Sequence, residues 1–150
     1  MRVVIQRVTE ASIEVEGVVV SSIGQGTLVL AAFRGGDSEE ELEWMARKCL
    51  ELRIFEDENA KMNRSVLDME GEVLVVSQFT LYGNCRKGRR PAYTASAPAA
   101  EARELYRSFL DKMSRHYPKV AEGVFGAKMK VHLLNDGPVT LIIDRGAEGL

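Results

Sequence analysis

The sequence predicts a single-domain α/β fold that is rich in β-strands and carries two helices. At 150 residues, with 45% hydrophobic and 28% charged residues, the chain has the length and balance of one domain, residues 1–150, around one core. Short apolar runs bounded by glycine predict strands. Two longer segments repeat apolar residues at helical spacing, which predicts two amphipathic helices.

Four runs near the N-terminus predict short strands, because they are apolar or alternate apolar with polar residues. They are residues 2–9, 12–16, 18–21 and 27–33. Gly17, Gly24 and Gly26 stand at the boundaries, where glycine permits tight turns. We therefore expect hairpins in this part of the chain.

A capping box predicts the start of the first helix. Ser38 is followed three residues later by Glu41, and this spacing lets the two side chains satisfy backbone amides that a helix start leaves unpaired. An apolar stripe at helical spacing follows, made of Leu42, Met45, Ala46, Cys49 and Leu50. We expect this stripe to face the core.

The second half of the chain predicts a strand, a helix and a final pair of strands. Residues 72–81 form the strand, and the helix begins near Pro98, whose missing amide hydrogen is not needed in a first helical turn. Its expected buried face consists of Ala102, Leu105, Tyr106, Phe109, Leu110 and Met113. Alternation from Lys128 to Leu134 and the run 139–143 predict the last strands.

Charge and composition exclude several classes of protein. Twenty Lys and Arg against 22 Asp and Glu give a net charge of −2, so no global field attracts nucleic acid or an anionic membrane, and RNA contact requires a local patch. We expect no signal peptide after Met1 and no membrane partner, since no apolar run reaches the ~18 residues of a membrane span. Cys49 and Cys85 lack metal or redox spacing, which suits reduced thiols in the cytoplasm.

Common catalytic patterns are missing from the sequence. The two histidines, His116 and His132, accompany no Gly-x-Ser-x-Gly elbow. The cysteines and histidines do not have the spacing of zinc ligands, and Gly24-Gln25-Gly26 is too short for a phosphate-binding loop. We therefore expect no metal and no cofactor.

Two motifs about sixty residues apart remain: Ser77-Gln78-Phe79-Thr80-Leu81 and Asn135-Asp136-Gly137-Pro138-Val139-Thr140. Pro138 lies between two apolar runs and cannot donate to a strand ladder, so it marks an interruption. A Gly-Pro bond adopts the cis form at a cost of roughly 0.5–1 kcal/mol, which can turn consecutive carbonyls towards a ligand. Taken alone, Asn-Asp-Gly-Pro is more often a plain turn.

The pair of motifs resembles the D-aminoacyl-tRNA deacylases, which hydrolyse D-amino acids and glycine from mischarged tRNA. The resemblance covers essentially the whole chain and includes the segments 5–8, 71–76, 89–91 and 125–129. Ala32-Phe33 departs from the Gly-Val expected there, and neither motif is affected. Combined with the strand and helix patterns, the resemblance predicts a three-layer sandwich of two packed mixed or antiparallel β-sheets with two helices on one outer face.

The resemblance implies the source of stereochemical selectivity. In that family a cis Gly-Pro bond, matching Gly137 and Pro138, presents carbonyls that crowd the side chain of an L-amino acid, while a D side chain points to solvent. It further implies a homodimer in which this dipeptide reaches into the partner's pocket, braced by Arg7. Arg7 lies in an apolar strand, where an unpaired charge is unfavourable, and this favours a bracing role.

The expected chemistry needs few side chains, because an aminoacyl ester is already activated and a neighbouring ribose hydroxyl can help to position water. Backbone amides of Ser77, Gln78, Phe79 and Thr80 are our candidates for stabilising the oxyanion. Thr80 as a nucleophile is an alternative, although no general base accompanies it in the sequence. A threonine that only satisfies local backbone is a second alternative.

The expected contacts to aminoacyl-tRNA form a separate set. Residues 86–90, the basic loop, carry Arg86, Lys87, Arg89 and Arg90, four charges in five residues that can meet phosphates of the acceptor stem. A solvated connection is the alternative. Phe79, Phe125 and Met129 are candidates to pack on the terminal adenine or, alternatively, core residues, and Asn135 joins the expected substrate-binding set. We expect no DNA partner.

Two other functions are compatible with the sequence. One is a paralogous deacylase with a trans Gly-Pro bond that removes small L-amino acids, and the other is a non-catalytic tRNA-binding module. Release of amino acid from D-, L- and glycyl-tRNA distinguishes the three.

Overall fold

The fold was analysed in a computed structural model, which describes residues 1–146; the other four residues of the predicted domain 1–150 lie outside the described part. The chain order of the elements is β1 (Arg2–Val15), β2 (Val18–Ile23), β3 (Gly26–Ala32), α1 (Glu39–Glu51), β4 (Phe55–Glu56), β5 (Met62–Arg64), β6 (Glu72–Ser77), a 3₁₀ turn (Phe79–Tyr82), α2 (Ala99–His116), β7 (Val120–Glu122) and β8 (Lys130–Asp144). None of the helices in this part is long and apolar enough to cross a membrane.

The large sheet is mixed, and its hydrogen-bonded strands follow the order β2-β1-β3-β6-β7. In addition, β8 pairs with β1. The N-terminal half of β1 pairs antiparallel with β3, from Arg2 opposite Ala32 to Val8 opposite Gly26. Its C-terminal half pairs with β2, and β8 runs along nearly the whole of β1. β3, β6 and β7 are parallel to one another, while β4 and β5 form a small separate sheet. The predicted mixed α/β class with two sheets and two helices is confirmed.

Two hydrophobic cores lie on opposite faces of the large sheet. Val29 and Val75 point into the first core, together with the buried stripes of both helices. Leu28 and Leu74, their neighbours along the strands, point into the second core against Ile13. Successive strand residues face opposite sides, which explains the division. All buried residues of the second core come from strands, so both helices cover one outer face, as predicted.

The helices begin where the sequence predicts. The Ser38 hydroxyl accepts from the Glu41 amide at 3.3 Å and the Glu41 carboxylate accepts from the Ser38 amide at 2.8 Å, so the capping box is complete. The five residues of the predicted α1 stripe are buried. Pro98 precedes α2, whose predicted face is buried except for the half-buried Leu105.

Several strands differ from the prediction. The predicted runs 2–9 and 12–16 join into one strand, β1, and the run 72–81 ends as a strand at Ser77. Three short strands, β4, β5 and β7, were not predicted because two or three residues show no periodicity.

The interruption expected at Pro138 is a bulge within β8. Along β1, Gln6 lies opposite Thr140 and Val8 lies opposite Asn135. Residues 136–139 of β8 therefore face a single position of β1 and lie outside the regular ladder. A proline fits there because no ladder hydrogen bond requires its amide.

Candidate active site

A cavity of about 710 Å³ opens where β6 ends and the 3₁₀ turn begins. Its walls come from the ends of β3 and β6, the start of α2 and the segment before β8, which the parallel order β3-β6-β7 brings together. The residues that line it are Ala32, Phe33, Val76, Ser77, Gln78, Phe79, Tyr93, Ser96, Ala97, Pro98, Ala99, Ala102, Phe125, Gly126, Ala127, Lys128, Met129 and Val131. The lining is mainly apolar, with a few polar groups near the turn.

The first motif forms the start of the 3₁₀ turn at this cavity. The Gln78 amide donates to the Ala31 carbonyl at 2.7 Å, which anchors the end of β6 against β3. The Leu81 amide donates back to the Gln78 carbonyl at 3.2 Å. The amides of Phe79 and Thr80, which open the turn, have no partner within it. They are available for hydrogen bonds to a bound group.

Thr80 is exposed and is not part of the cavity lining. Its hydroxyl accepts a short hydrogen bond from the side-chain amide of Gln78. Across residues 1–146, no acidic side chain or histidine hydrogen-bonds to this hydroxyl. The arrangement orients the Thr80 side chain and supplies it with no general base.

Phe125 forms the opposite wall of the cavity. Its ring contacts the ring of Tyr106, at a centroid distance of 5.7 Å, and the guanidinium of Arg103, whose Cζ is 4.8 Å from the ring centroid. Tyr106 is itself fixed, because its buried hydroxyl donates to the Val75 carbonyl at 3.0 Å. Burial raises the pKa of Tyr106, so its phenol stays protonated. Half-buried Met129 lies beside Phe125 in the lining.

The second motif is held by Arg7, a buried side chain with 6% exposure. Its Nη1 donates to the Ile54 carbonyl at 2.8 Å. Its Nε lies 3.1 Å from the Asp136 carboxylate, close enough for an ion pair although the angle does not make a hydrogen bond. The Gly137–Pro138 peptide bond is cis, and Gly137 has a φ of +117°. Arg7 therefore contacts the second motif within one chain.

Asn135 closes the bulge from within. Its side-chain amide donates to the carbonyls of Arg7 and Val139, both at 3.0 Å, and its side-chain oxygen accepts from the Thr140 hydroxyl at 3.2 Å. These bonds satisfy backbone groups that the bulge removes from the ladder. Asn135 is thus a structural residue of the bulge.

The two motifs do not meet in one chain. Ser77, Gln78 and Phe79 line the cavity together with Phe125 and Met129. Gly137 and Pro138 are exposed and do not line it. The structure of the chain therefore gathers most of the predicted catalytic and adenine-binding residues and leaves the predicted selectivity residues outside the cavity.

The basic loop lies in the chain between Phe79 and Tyr93, two residues that line the cavity. Reciprocal backbone hydrogen bonds between Asn84 and Ala92, at 2.8 and 3.0 Å, close the loop at its base. Its four basic side chains, Arg86, Lys87, Arg89 and Arg90, are exposed. Within the described residues no ion pair joins them to an acidic group, so their charges face solvent.

Comparisons with known proteins assign the chain to a family. A family model described as D-Tyr-tRNA(Tyr) deacylase matches residues 4–144. D-aminoacyl-tRNA deacylases from Desulfitobacterium hafniense and Thermosipho africanus are 56% and 54% identical, each over 96% of this chain and 97% of the relative. That from Acaryochloris marina is 50% identical over 99% of this chain and 98% of the relative.

The chain belongs to the D-Tyr-tRNA(Tyr) deacylase family. Membership makes it an enzyme of the D-aminoacyl-tRNA deacylase type, a hydrolase that acts on the aminoacyl-tRNA ester. A solved structure, the c-Myc DNA Unwinding Element Binding Protein, is 44% identical and superposes with a TM-score of 0.93, covering 98% of this chain and 100% of that chain. A second solved structure, 20% identical with a TM-score of 0.84, shares the fold.

Three residues at or beside the cavity were not predicted from the sequence. Tyr93 and Ser96 lie on its rim, and Arg103 stands behind Phe125. Tyr93 and Ser96 follow the basic loop in a segment without periodicity, so no pattern indicated them. Arg103 lies off the apolar stripe of α2, and only its distance to Phe125 shows its contact.

Proposed function

We propose that this deacylase releases D-amino acids, and glycine, from mischarged tRNA while it spares L-aminoacyl-tRNA. The observation that carries the proposal is the apolar cavity lined by Ser77, Gln78 and Phe79 at the start of the 3₁₀ turn, where the amides of Phe79 and Thr80 have no partner within the turn. Family membership supplies the reaction class. The backbone at Gly137 and Pro138 supplies the selectivity.

Hydrolysis in this proposal depends on backbone groups and on the RNA. Water attacks the ester carbonyl, the carbonyl oxygen becomes an oxyanion, and the tRNA ribose oxygen leaves with a proton. Amides of the segment Ser77 to Thr80 stabilise the oxyanion, and preorganised donors of this kind are worth roughly 3–4 kcal/mol each. The neighbouring ribose hydroxyl positions the water. Thr80 orients the turn through its bond from Gln78.

Selectivity against L substrates requires a rigid obstacle. A discrimination of about 10⁴ corresponds to about 5.5 kcal/mol, which is more than a single methylene contact supplies. Backbone carbonyls at Gly137 and Pro138 meet this need because Arg7 and Asn135 hold the bulge from two sides. An L side chain meets the wall, whereas a D side chain or the hydrogen of glycine does not.

The wall must come from a second subunit, since Gly137 and Pro138 do not line the cavity of their own chain. We therefore propose a homodimer in which each bulge enters the partner's cavity. Exposed apolar side chains of β8 support it: Leu134 is 58% and Ile142 68% exposed, although apolar side chains of this size are normally buried. An Ile142→Glu variant should be monomeric by light scattering and inactive, and an active monomer would contradict the dimer.

Contacts to tRNA complete the proposal. The basic loop meets phosphates of the acceptor stem, and Phe79, Phe125 and Met129 surround the terminal adenine inside the cavity. Lys128, also in the lining, adds one positive charge near the RNA end. We place the enzyme in the cytoplasm, where charged tRNA is used. Its two cysteines are free thiols, which suits that compartment.

Release of labelled amino acid from D-tyrosyl-, glycyl- and L-tyrosyl-tRNA tests the function. We expect rapid release from D-tyrosyl-tRNA and glycyl-tRNA and no release from L-tyrosyl-tRNA beyond its spontaneous hydrolysis. Release of small L-amino acids instead would identify the paralogous activity, and binding without release from any ester would identify a tRNA-binding module.

A further inference from the structure

Two aromatic rings stand together at the mouth of the cavity. The rings of Phe79 and Tyr93 are 5.1 Å apart between centroids, with an angle of 72° between their planes. Phe79 is 52% exposed and Tyr93 is 38% exposed. Edge-to-face pairs are ordinarily stabilised by burial as well as by ring geometry, so a pair left in solvent beside a cavity marks a contact surface.

The pair is fixed from several directions. Gly83 lies under the Tyr93 ring, and a Cβ built on Gly83 would come within 3.0 Å of Tyr93 Cε1. The Ser96 hydroxyl donates to the Phe79 carbonyl at 3.0 Å, and the Ser96 amide donates to the Tyr93 carbonyl at 3.1 Å. Both the ring and the backbone of Phe79 are therefore tied to residues 93–96.

The same segment continues directly into the basic loop. Ala92, which closes that loop against Asn84, immediately precedes Tyr93. Phosphate-binding charges and an aromatic pair thus lie at the two ends of one short, hydrogen-bonded piece of chain. Basic side chains next to exposed aromatic rings are the combination that binds unpaired nucleotides, by backbone attraction and base stacking together.

We propose that Tyr93 is a positioning residue for the 3′ end of the tRNA: it holds the Phe79 ring so that the ring stacks on the unpaired terminal base. This inference rests on the proposed function for the identity of the RNA. Tyr93 acts on the base and leaves the amino acid untouched. Its effect is therefore the same for esters with small and with large side chains.

The test compares Tyr93→Leu with Tyr93→Phe, which keeps the ring, and with Trp44→Leu, an aromatic substitution on α1 away from the cavity lining. Hydrolysis of D-alanyl- and D-tyrosyl-tRNA is followed for each variant. Tyr93→Leu should raise KM about 5- to 20-fold for both esters, a range typical of losing part of one stacking contact, with kcat within about twofold. Tyr93→Phe and Trp44→Leu should resemble the wild type.

Fluorescence of uncharged tRNA with 2-aminopurine as its terminal base gives a second readout, because stacking quenches this base. The wild type and Tyr93→Phe should quench the 2-aminopurine fluorescence, and Tyr93→Leu should quench it less. Quenching without hydrolysis by the wild type would contradict the proposed function and leave this inference standing. Unchanged KM and quenching in Tyr93→Leu would overturn the inference, as would a KM rise for D-tyrosyl-tRNA alone.

A Tyr93→Leu chain that does not fold shifts the test to Tyr93→Met, whose unbranched side chain adapts to the space of the ring but removes the ring contact with Phe79. Reduced quenching and a raised KM for both esters support the positioning role. Wild-type values in a folded Tyr93→Met would overturn it.

Discussion

The guanidinium of Arg7 lies directly beside Gly137, so that a Cβ built on Gly137 would come within 2.8 Å of Arg7 Nη2. Gly137 also has a φ of +117°, which side chains disfavour. Arg7 comes from β1 and Gly137 from the bulge of β8. This contact links the N-terminal strand to the backbone that we propose as the stereochemical wall.

Removal of the Arg7 side chain should loosen the wall and destabilise the protein. Arg7→Ala loses the bond to the Ile54 carbonyl, worth about 1.5–3 kcal/mol for a charged donor, and leaves Asp136 without its ion pair. Urea unfolding measures the loss, with Arg47→Ala as control because Arg47 is exposed. In conditions where the Arg7→Ala chain is folded, its ratio of D- to L-tyrosyl release should fall. Wild-type stability and selectivity would contradict a bracing role.

Thr80→Ala should keep substantial activity, because backbone amides and the ribose hydroxyl carry the reaction in our account. The Thr80 hydroxyl accepts from Gln78 and has no general base among the described residues. A tRNA whose terminal ribose lacks the neighbouring hydroxyl should be nearly inert with the wild type. Single-turnover rates measure both effects. If Thr80→Ala folds and binds tRNA but is inactive, the Thr80 hydroxyl takes part in the reaction.

Neutralising the basic loop should weaken tRNA binding without changing the chemical step. Arg89→Ala with Arg90→Ala removes two of the phosphate contacts that we propose, which should reduce the slope of log K against log salt by about 1–2. Lys61→Ala, an exposed cation outside the loop, serves as the control. A DNA duplex as competitor tests the expectation that DNA is not a partner. Unchanged affinity and an unchanged salt slope would show that the loop is only a solvated connection. The acceptor stem would then have to be held elsewhere, and Lys128 and Lys130 would be the next candidates.

The contact between α1 and α2 should depend on pH through Glu39. Hydrogen bonds from Lys112 and then Ser108 lower the pKa of Glu39 below its ordinary value of 4.5. A carboxyl with a lowered folded pKa contributes stability above pH 4.5, and the contribution is lost as pH falls through the folded value. Glu39→Gln should therefore be less stable than the wild type at pH 7, with a smaller difference at pH 3.

The control for this comparison is Glu40→Gln, which changes the neighbouring carboxyl in the first turn of α1 and so matches the effect of the helix dipole. Glu39→Gln should lose more stability than Glu40→Gln at pH 7. Equal losses would show that the pairing with Lys112 contributes nothing beyond the dipole.

Local signals in the sequence predicted the elements that depend on neighbouring residues. The Ser38–Glu41 box and the α1 stripe are confirmed because capping and helical periodicity act within one or two turns. The resemblance to a family predicted Arg7 beside Gly137 and Pro138, whereas no signal indicated its contact with Asp136, 129 positions away. Tyr93 and Arg103 were missed because their contacts with Phe79 and Phe125 arise from the packing of distant segments.

The most direct test of backbone-based selectivity is the rate of amino acid release from D-tyrosyl-tRNA and L-tyrosyl-tRNA. Both rates are measured with purified protein and no added metal, once without and once with a chelator. We expect D-tyrosine to be released, L-tyrosyl-tRNA to stay intact beyond its spontaneous hydrolysis, and the chelator to change neither rate. Comparable release of the two enantiomers, or inhibition by the chelator, would contradict a metal-free site whose selectivity comes from the backbone at Gly137 and Pro138.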